Sequence, residues 1–563
     1  MGAASSGPTQ PMLTPPPLAA PPTSIPWLGL VAVLMGTFIS TLNGRLSTFG
    51  LADIRGAVGA GFDEGAWITT AQTSGQMFIT LFAVWMGAAY GPGRVLIGSA
   101  LAFAVISLLT PYSASLPMLL VMQFLGGLAT GFFIPLTLSY ILRNMPPKYW
   151  AFGIALYALN LELSLNISAS LEGYYLEHLS WRWIFWQNVP LALIMTVCLR
   201  AGISSLPPPV GQRPPLDLFG LFSGGVGLAL IYAALDQGNR LDWLNSGLVW
   251  GLLCSGALLI AAFLIHDWIT PYPLLNLRVV FAAPLPALAV IIAFLRLTIL
   301  STAFLIPLYL GSVRGFRALE VGDTLIWVAV PQLIFSPLAA LMLRRTDPRL
   351  VASIGFIFIS IACLMVAYAL TPLWGSFQFL PSQLLQAVGQ SFALSGVIFF
   401  GILHLKPEEA LTFGAVLQIA RLMGGEVGTA FINTWTRVRE QVASNLIGQH
   451  VRMGDADVIH RIQAYATVTS RTFNPSGDLM RGEAVLDNAV RALQDPNVGK
   501  YVSGKWAARG NTVAELVADM GRQGLKFAPA VAGGEAAYNA VHHALVMYSA
   551  GPDPSRPWDA LAK

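Results

Sequence analysis

The sequence predicts an all-α integral membrane protein of about thirteen transmembrane helices, and three observations carry that expectation. Of its 563 residues 55% are hydrophobic and only 11% charged, whereas a soluble domain carries about 25% charged residues. Apolar stretches of roughly 20 residues, enough to cross a hydrocarbon core of about 30 Å, recur thirteen times between Pro, Gly and charge clusters. Lys and Arg favour alternate connections, ten on one side against five on the other.

Taken in order, residues 1–26 hold no charged side chain and many prolines. They lack the basic segment of a secretory signal and read as a disordered Pro-rich tail. The expected spans are 27–46, 66–89, 95–112, 117–142, 151–174, 183–201, 217–235, 246–268, 285–310, 321–343, 350–370, 377–403 and 411–435. With a cytoplasmic N-terminus, the inside connections hold Arg94, Arg143, Lys148, Arg200, Arg213, Arg278, Arg344, Arg345, Arg349 and Lys406. The outside ones hold Arg55, Arg182, Arg240, Arg314 and Arg317, so the positive-inside rule orients the chain that way. From Arg437 to Lys563 the character changes: 26 of 127 residues are charged, against 34 of the preceding 436. This predicts a polar segment over 436–563, on the outside face after an odd number of spans.

Several functions are excluded. A net charge of +4 over the whole chain is too thin for a nucleic-acid footprint. Cys198, Cys254 and Cys363 lie in apolar runs and form no disulfide or metal framework. GxxxxGK[ST], HExxH and GxSxG are all missing, which leaves no ATP-driven pump, enzyme or cofactor to expect.

Specific motifs accompany the spans. They are Trp181-Arg-Trp-Ile-Phe-Trp-Gln-Asn-Val-Pro190, Leu235-Asp-Gln-Gly-Asn-Arg-Leu-Asp-Trp243, Ile134-Pro135-Leu136, Asp217 with Gly220, and Arg421 to Thr429 followed by Trp435. In order and spacing the sequence from about 30 to 440 resembles the fourteen-span drug:proton antiporters, the multidrug-efflux branch of the major facilitator superfamily. That resemblance implies a major facilitator fold. Residues 27–201 would form a six-helix bundle, 202–268 two inserted spans, and 269–435 the C-terminal bundle, in which five spans are found. It also implies a bacterial inner membrane, small-molecule substrates, protons, and a periplasmic membrane-fusion adaptor with an outer-membrane channel as partners. The family's final span is not found.

The coupling motifs depart from the family pattern. Asn43 stands where the first span has an acid, Gly87 to Arg94 lacks the family's Asp, Gln123 replaces an Arg, and Ser168-Ala169 replaces Gly-Pro before Glu172-Gly173. A uniporter or uptake facilitator, or a membrane sensor or scaffold without transport, is therefore the alternative to an exporter.

Ionisable groups inside spans carry the chemistry, because a charge at the bilayer centre costs at least about 2.5 to 3.5 kcal/mol and so faces a wet or paired interior. Glu162, Asn166, Ala169 and Gly173 follow an i, i+4, i+7, i+11 stripe on one helix face. Burial favours the neutral form of a carboxyl group, the property a proton carrier needs. Glu162, Glu426 and Glu172, the last near a span end, are the proton-coupling candidates. Arg421 and Glu426 sit about 140° apart on one helix and cannot pair well. Arg45 and Arg296 either supply a fixed positive field for an anionic substrate or neutralise the glutamates. Asn43, Gln72, Gln76, Gln123, Asn166 and Arg421 complete the substrate-cavity candidates, with helix-to-helix hydrogen bonding as the alternative role for the amides.

Overall fold

Each expected span is a helix. The computed structural model describes residues 26–203, 215–271, 273–282, 284–406 and 409–450. The first half comprises α1 (Trp27–Phe49), α2 (Trp67–Tyr90), α3 (Pro92–Leu109), α4 (Leu116–Thr130 continuing as Phe133–Asn144), α5 (Trp150–His178) and α6 (Asn188–Ile203). Next come α7 (Leu218–Gly238) and α8 (Gly247–Ile269). The remainder is α9 (Leu285–Leu300 and Ile306–Arg314, joined by a π-helical turn at Ser301–Leu305), α10 (Ala318–Leu343), α11 (Pro348–Ala369), α12 (Ser376–Leu403) and α13 (Ala410–His450).

Among the described residues, twelve helices are long and apolar enough to cross a membrane, against the thirteen expected. The exception is α2. Its 24 residues reach about 36 Å at 1.5 Å per residue, but Thr69, Thr70, Gln72, Thr73, Ser74 and Gln76 lower its hydropathy. That polar half packs against α4 and α7, where Ser74 donates to the Ala229 carbonyl at 3.4 Å.

Several spans run past their expected ends, among them α5, α7, α9 and α13. α7 extends to Gly238 and takes in Asp236 and Gln237, which the sequence reading placed beyond the seventh span. α13 continues to His450 rather than stopping near 435. The chain divides into two compact units, Met1–Trp435 and Thr436–Lys563. Of the second unit only the helical residues 436–450 are described, so most of the expected polar segment, like residues 1–25 of the expected tail, lies outside the described residues.

Within the first unit α1 packs on α5 and α6, α3 on α6, and α2 on α4, while α10, α11 and α12 pack together. α5 joins the two sets by lying against α10 and α12. Phe222, Leu258, Ile265, Phe294 and Ile357 point outward and exposed, as side chains solvated by lipid do.

Close approaches seal both ends of the contact between the sets. A Cβ on Gly322 of α10 would lie 2.6 Å from the Ser170 Cα of α5, and one on Gly414 of α13 would lie 2.6 Å from the Pro135 carbonyl oxygen of α4. Only glycine permits such backbone proximity.

Candidate functional site

Between these contacts lies a layer of buried polar side chains drawn from six helices. Glu162, midway along α5, is 2% exposed, and its Oε1 is 3.5 Å from Arg296 Nη1 of α9. One turn on, Asn166 Nδ2 donates to Gln390 Oε1 of α12 at 3.0 Å. Gln332 Nε2 of α10 donates to the same oxygen at 2.9 Å. Gln390 Nε2 donates to Gln386 Oε1 at 3.3 Å, and Gln386 Nε2 donates to the Ser301 hydroxyl at 3.2 Å. Ala169 and Gly173 finish the stripe against Leu325 and Leu319. The face read from the i, i+4, i+7, i+11 spacing is therefore the face α5 turns to the second half of the chain.

The arginines converge on the same layer. A π-turn replaces i→i+4 hydrogen bonding with i→i+5 and disturbs the backbone ladder locally. Beside this turn in α9, Arg45 Nη2 of α1 donates to the Ala303 carbonyl at 2.6 Å. Arg421 of α13 donates through Nη2 to Gln418 Oε1 at 3.1 Å, and its charge acts on Glu162, Arg296 and Tyr157. Arg296 in turn acts on Arg45. Two guanidinium groups, those of Arg296 and Arg421, thus act on the Glu162 carboxylate.

Hydrogen bonding in the layer is incomplete. Arg296 Nε, Gln418 Nε2 and the Tyr157 hydroxyl on one side, and Glu162 Oε2, Asn166 Oδ1 and Gln332 Oε1 on the other, have no hydrogen-bond partner. A buried polar group left unsatisfied costs about 1 to 3 kcal/mol. Such a lining suits water or a polar ligand.

Glu426 belongs elsewhere. From α13 its carboxylate meets the Tyr232 hydroxyl of α7, which also meets Thr73 of α2, and it interacts with Asp236. Asp236 accepts from the Thr70 hydroxyl and from Gln237 Nε2. Gln237 also accepts from Arg240 at 2.8 Å, and Arg240 pairs with the exposed Asp63 at 3.0 Å. This second, acidic cluster adjoins the C-terminal turn of α7. The angular argument that separated Arg421 from Glu426 holds, and Asp236 is a partner that cutting the span at Leu235 had hidden.

The other sequence candidates knit the first six helices together. Asn43 accepts from Asn188 at 2.8 Å, so an amide pair links α1 and α6 where Asn43 replaces the family's acid. Gln76 donates to Thr130 at 3.1 Å and Gln123 to Ser47 at 3.4 Å. Gln72 faces Gly44. Glu172 is fully buried beside Gly50, six residues before α5 ends at His178. The sequence reading passed over Asn188, Gln332, Gln390, Gln418 and Tyr157, although a polar group inside an apolar run is the signal that singled out the other amides.

Comparison with known proteins accords with this geometry. Residues 33–429 match the Major Facilitator Superfamily. The chain belongs to that superfamily. It is a multi-pass membrane protein of a transporter family. It is 24% identical over 430 residues to the multidrug export protein EmrB of Haemophilus influenzae, covering 75% of this chain and 82% of that protein. It is 27% identical over 428 residues to the probable multidrug resistance protein EmrY of Escherichia coli, covering 73% and 80%. Among solved structures, the proton:xylose symporter XylE superposes with a TM-score of 0.51 at 13% identity, over 76% of this chain and 91% of that one. That similarity supports the fold alone.

Proposed function

We propose that this superfamily member exports amphipathic or aromatic toxic compounds across a bacterial inner membrane in exchange for protons, with its N-terminus in the cytoplasm. Relatives named for multidrug export support the cargo class. The observation that carries the coupling is the Glu162–Arg296 pair, which ties α5 to α9 at 3.5 Å. A proton on Glu162 removes the charge that holds Arg296; its departure restores the pair. Residues 27–201 and 269–435 then rock as two bundles about the polar layer, with 202–268 inserted between them, in the manner of alternating access. A periplasmic adaptor and an outer-membrane channel, meeting the segment beyond Arg437, would carry the cargo onward.

Proteoliposomes loaded with a fluorescent efflux substrate test this reading. Glu162→Gln should lower pH-gradient-driven transport by about tenfold or more, the loss of roughly 1.4 kcal/mol of coupling, while substrate exchange without a gradient persists. Unchanged gradient-driven transport in a well-inserted variant would remove Glu162 from the role. Asn43 in place of the first-span acid favours a second reading, a facilitator. That protein would move substrate at the same rate whatever the pH gradient.

A further inference from the structure

We infer that the turn between α10 and α11 is a binding site for an anionic phospholipid, its phosphate held by Arg344, Arg345 and Arg349. Residues 344–349 carry those three arginines and one aspartate. The arginines are exposed, and among the described residues none of them forms an ion pair. The neighbouring carboxylates are taken up by backbone. Asp347 caps α11 by accepting from the Arg349 N–H at 2.8 Å, and Glu409, just beyond α12, accepts from the Lys406 N–H at 2.9 Å. Arg278 and Lys406 add two exposed cations at the same end of the helices, again without an ion pair among the described residues. Like charges gathered this way attract an anion.

Local bonding holds the turn in shape. The Met342 carbonyl accepts from the N–H groups of Arg345 and Thr346 at 2.9 and 2.8 Å and from the Thr346 hydroxyl at 2.8 Å. Arg349 sits over the Phe400 ring of α12, 4.7 Å from its centre, and His404 lies against the same ring at 4.4 Å. A guanidinium placed on an aromatic face keeps its N–H fork for an acceptor, and such forks meet phosphate oxygens two at a time. An apolar wall leads up to the cations. Ile334, Leu338 and Leu341 of α10 are exposed at i, i+4, i+7 spacing, which is one helix face, and the stripe runs toward Arg345. Leu350 of α11 is exposed as well. A lipid uses both features, its acyl chains along the stripe and its headgroup among the arginines, whereas a soluble phosphate would leave the leucines unused. Bound there, it braces the turn against α12, in the set of helices that carries Gln332 and Gln390.

Neither cargo nor coupling enters this site, so its test needs no transport. The full chain in mild detergent is titrated with phosphatidylglycerol and with phosphatidylcholine of the same acyl chains, each with and without inorganic phosphate, and bound lipid is counted by native mass spectrometry. Phosphatidylglycerol should bind about tenfold or more tighter than phosphatidylcholine and should not be displaced by phosphate. In Arg344→Gln/Arg345→Gln/Arg349→Gln its affinity should fall about fivefold per arginine, roughly a hundredfold for the three. Phosphatidylcholine binding and the lipid-free melting temperature should stay as they were, which controls for folding. Arg94→Gln/Arg200→Gln removes two exposed cations from the same end of the first six helices and should weaken phosphatidylglycerol by no more than about twofold, because separated surface charges are screened. Equal binding of the two lipids, or full phosphatidylglycerol binding in the triple variant, would overturn the site. A loss per charge as large in Arg94→Gln/Arg200→Gln would replace it with a diffuse basic belt, and displacement by inorganic phosphate would replace the lipid with a free anion.

Discussion

Two polar regions share helix α13 and have opposite character. The layer around Arg421 sets two arginines, Arg296 and Arg421, on the Glu162 carboxylate and draws its members from both halves of the chain. The cluster around Glu426 has two carboxylates, Asp236 and Glu426, softened by the hydroxyls of Thr70 and Tyr232, and touches α2 and α7. The difference shows how one helix divides its work: a separation of five residues turns a cation and an anion to different neighbours. The first region sits where the two sets of helices meet and changes if they part. The second lies against α2 and α7, and reaches the exposed Asp63 through Gln237 and Arg240.

Removing Glu162 should break this contrast hardest. Glu162→Ala leaves a buried guanidinium without its counter-charge and should cost about 3 to 5 kcal/mol, read as a large drop in thermal stability of the detergent-purified protein. Sealing contacts come next. Gly322→Leu forces a side chain against the Ser170 backbone, an overpacking of about 1 to 3 kcal/mol if both ends are to stay closed. The variant should relieve it by parting α5 from α10, so a cysteine at position 170 should react with a membrane-impermeant thiol reagent far faster than in the Gly322 protein. The amide relay should respond less: Gln390→Leu removes bonds to both Asn166 and Gln332, at about 0.6 to 1.7 kcal/mol for a membrane hydrogen bond. The smallest change belongs to the acidic cluster. Glu426→Gln relieves carboxylate repulsion and keeps a partner for Tyr232, so stability should shift by less than about 1 kcal/mol, upward if at all. A Glu426→Gln loss as large as that of Glu162→Ala would erase the distinction between the two regions.

Much of the architecture was legible because each span is an apolar run closed by Gly, Pro or charge, a pattern independent of partners. Glu162 and Asn166 were legible for a related reason, since the 3.6-residue period assigns them one face. What escaped depends on neighbours. Asp236 was lost because Leu235-Asp-Gln-Gly-Asn-Arg looks like a loop until Thr70 and Tyr232 of the assembled bundle supply its company. The meeting of Arg45 with Ala303 follows from helix rotations that no single segment encodes. Nor does Ser301 to Leu305 announce its π-turn, as its residues suit an ordinary α-helix.

That turn has a mechanical meaning. A π-turn is an α-helix carrying one residue more than its period allows, so the stretches before and after it are out of phase by about 100°. Arg296 lies on one side of the slip and Ile306 on the other. Passing the extra residue along α9 would swing a side chain out of line with Glu162 while the helix stayed continuous. Deleting a single residue there would fix the phase permanently.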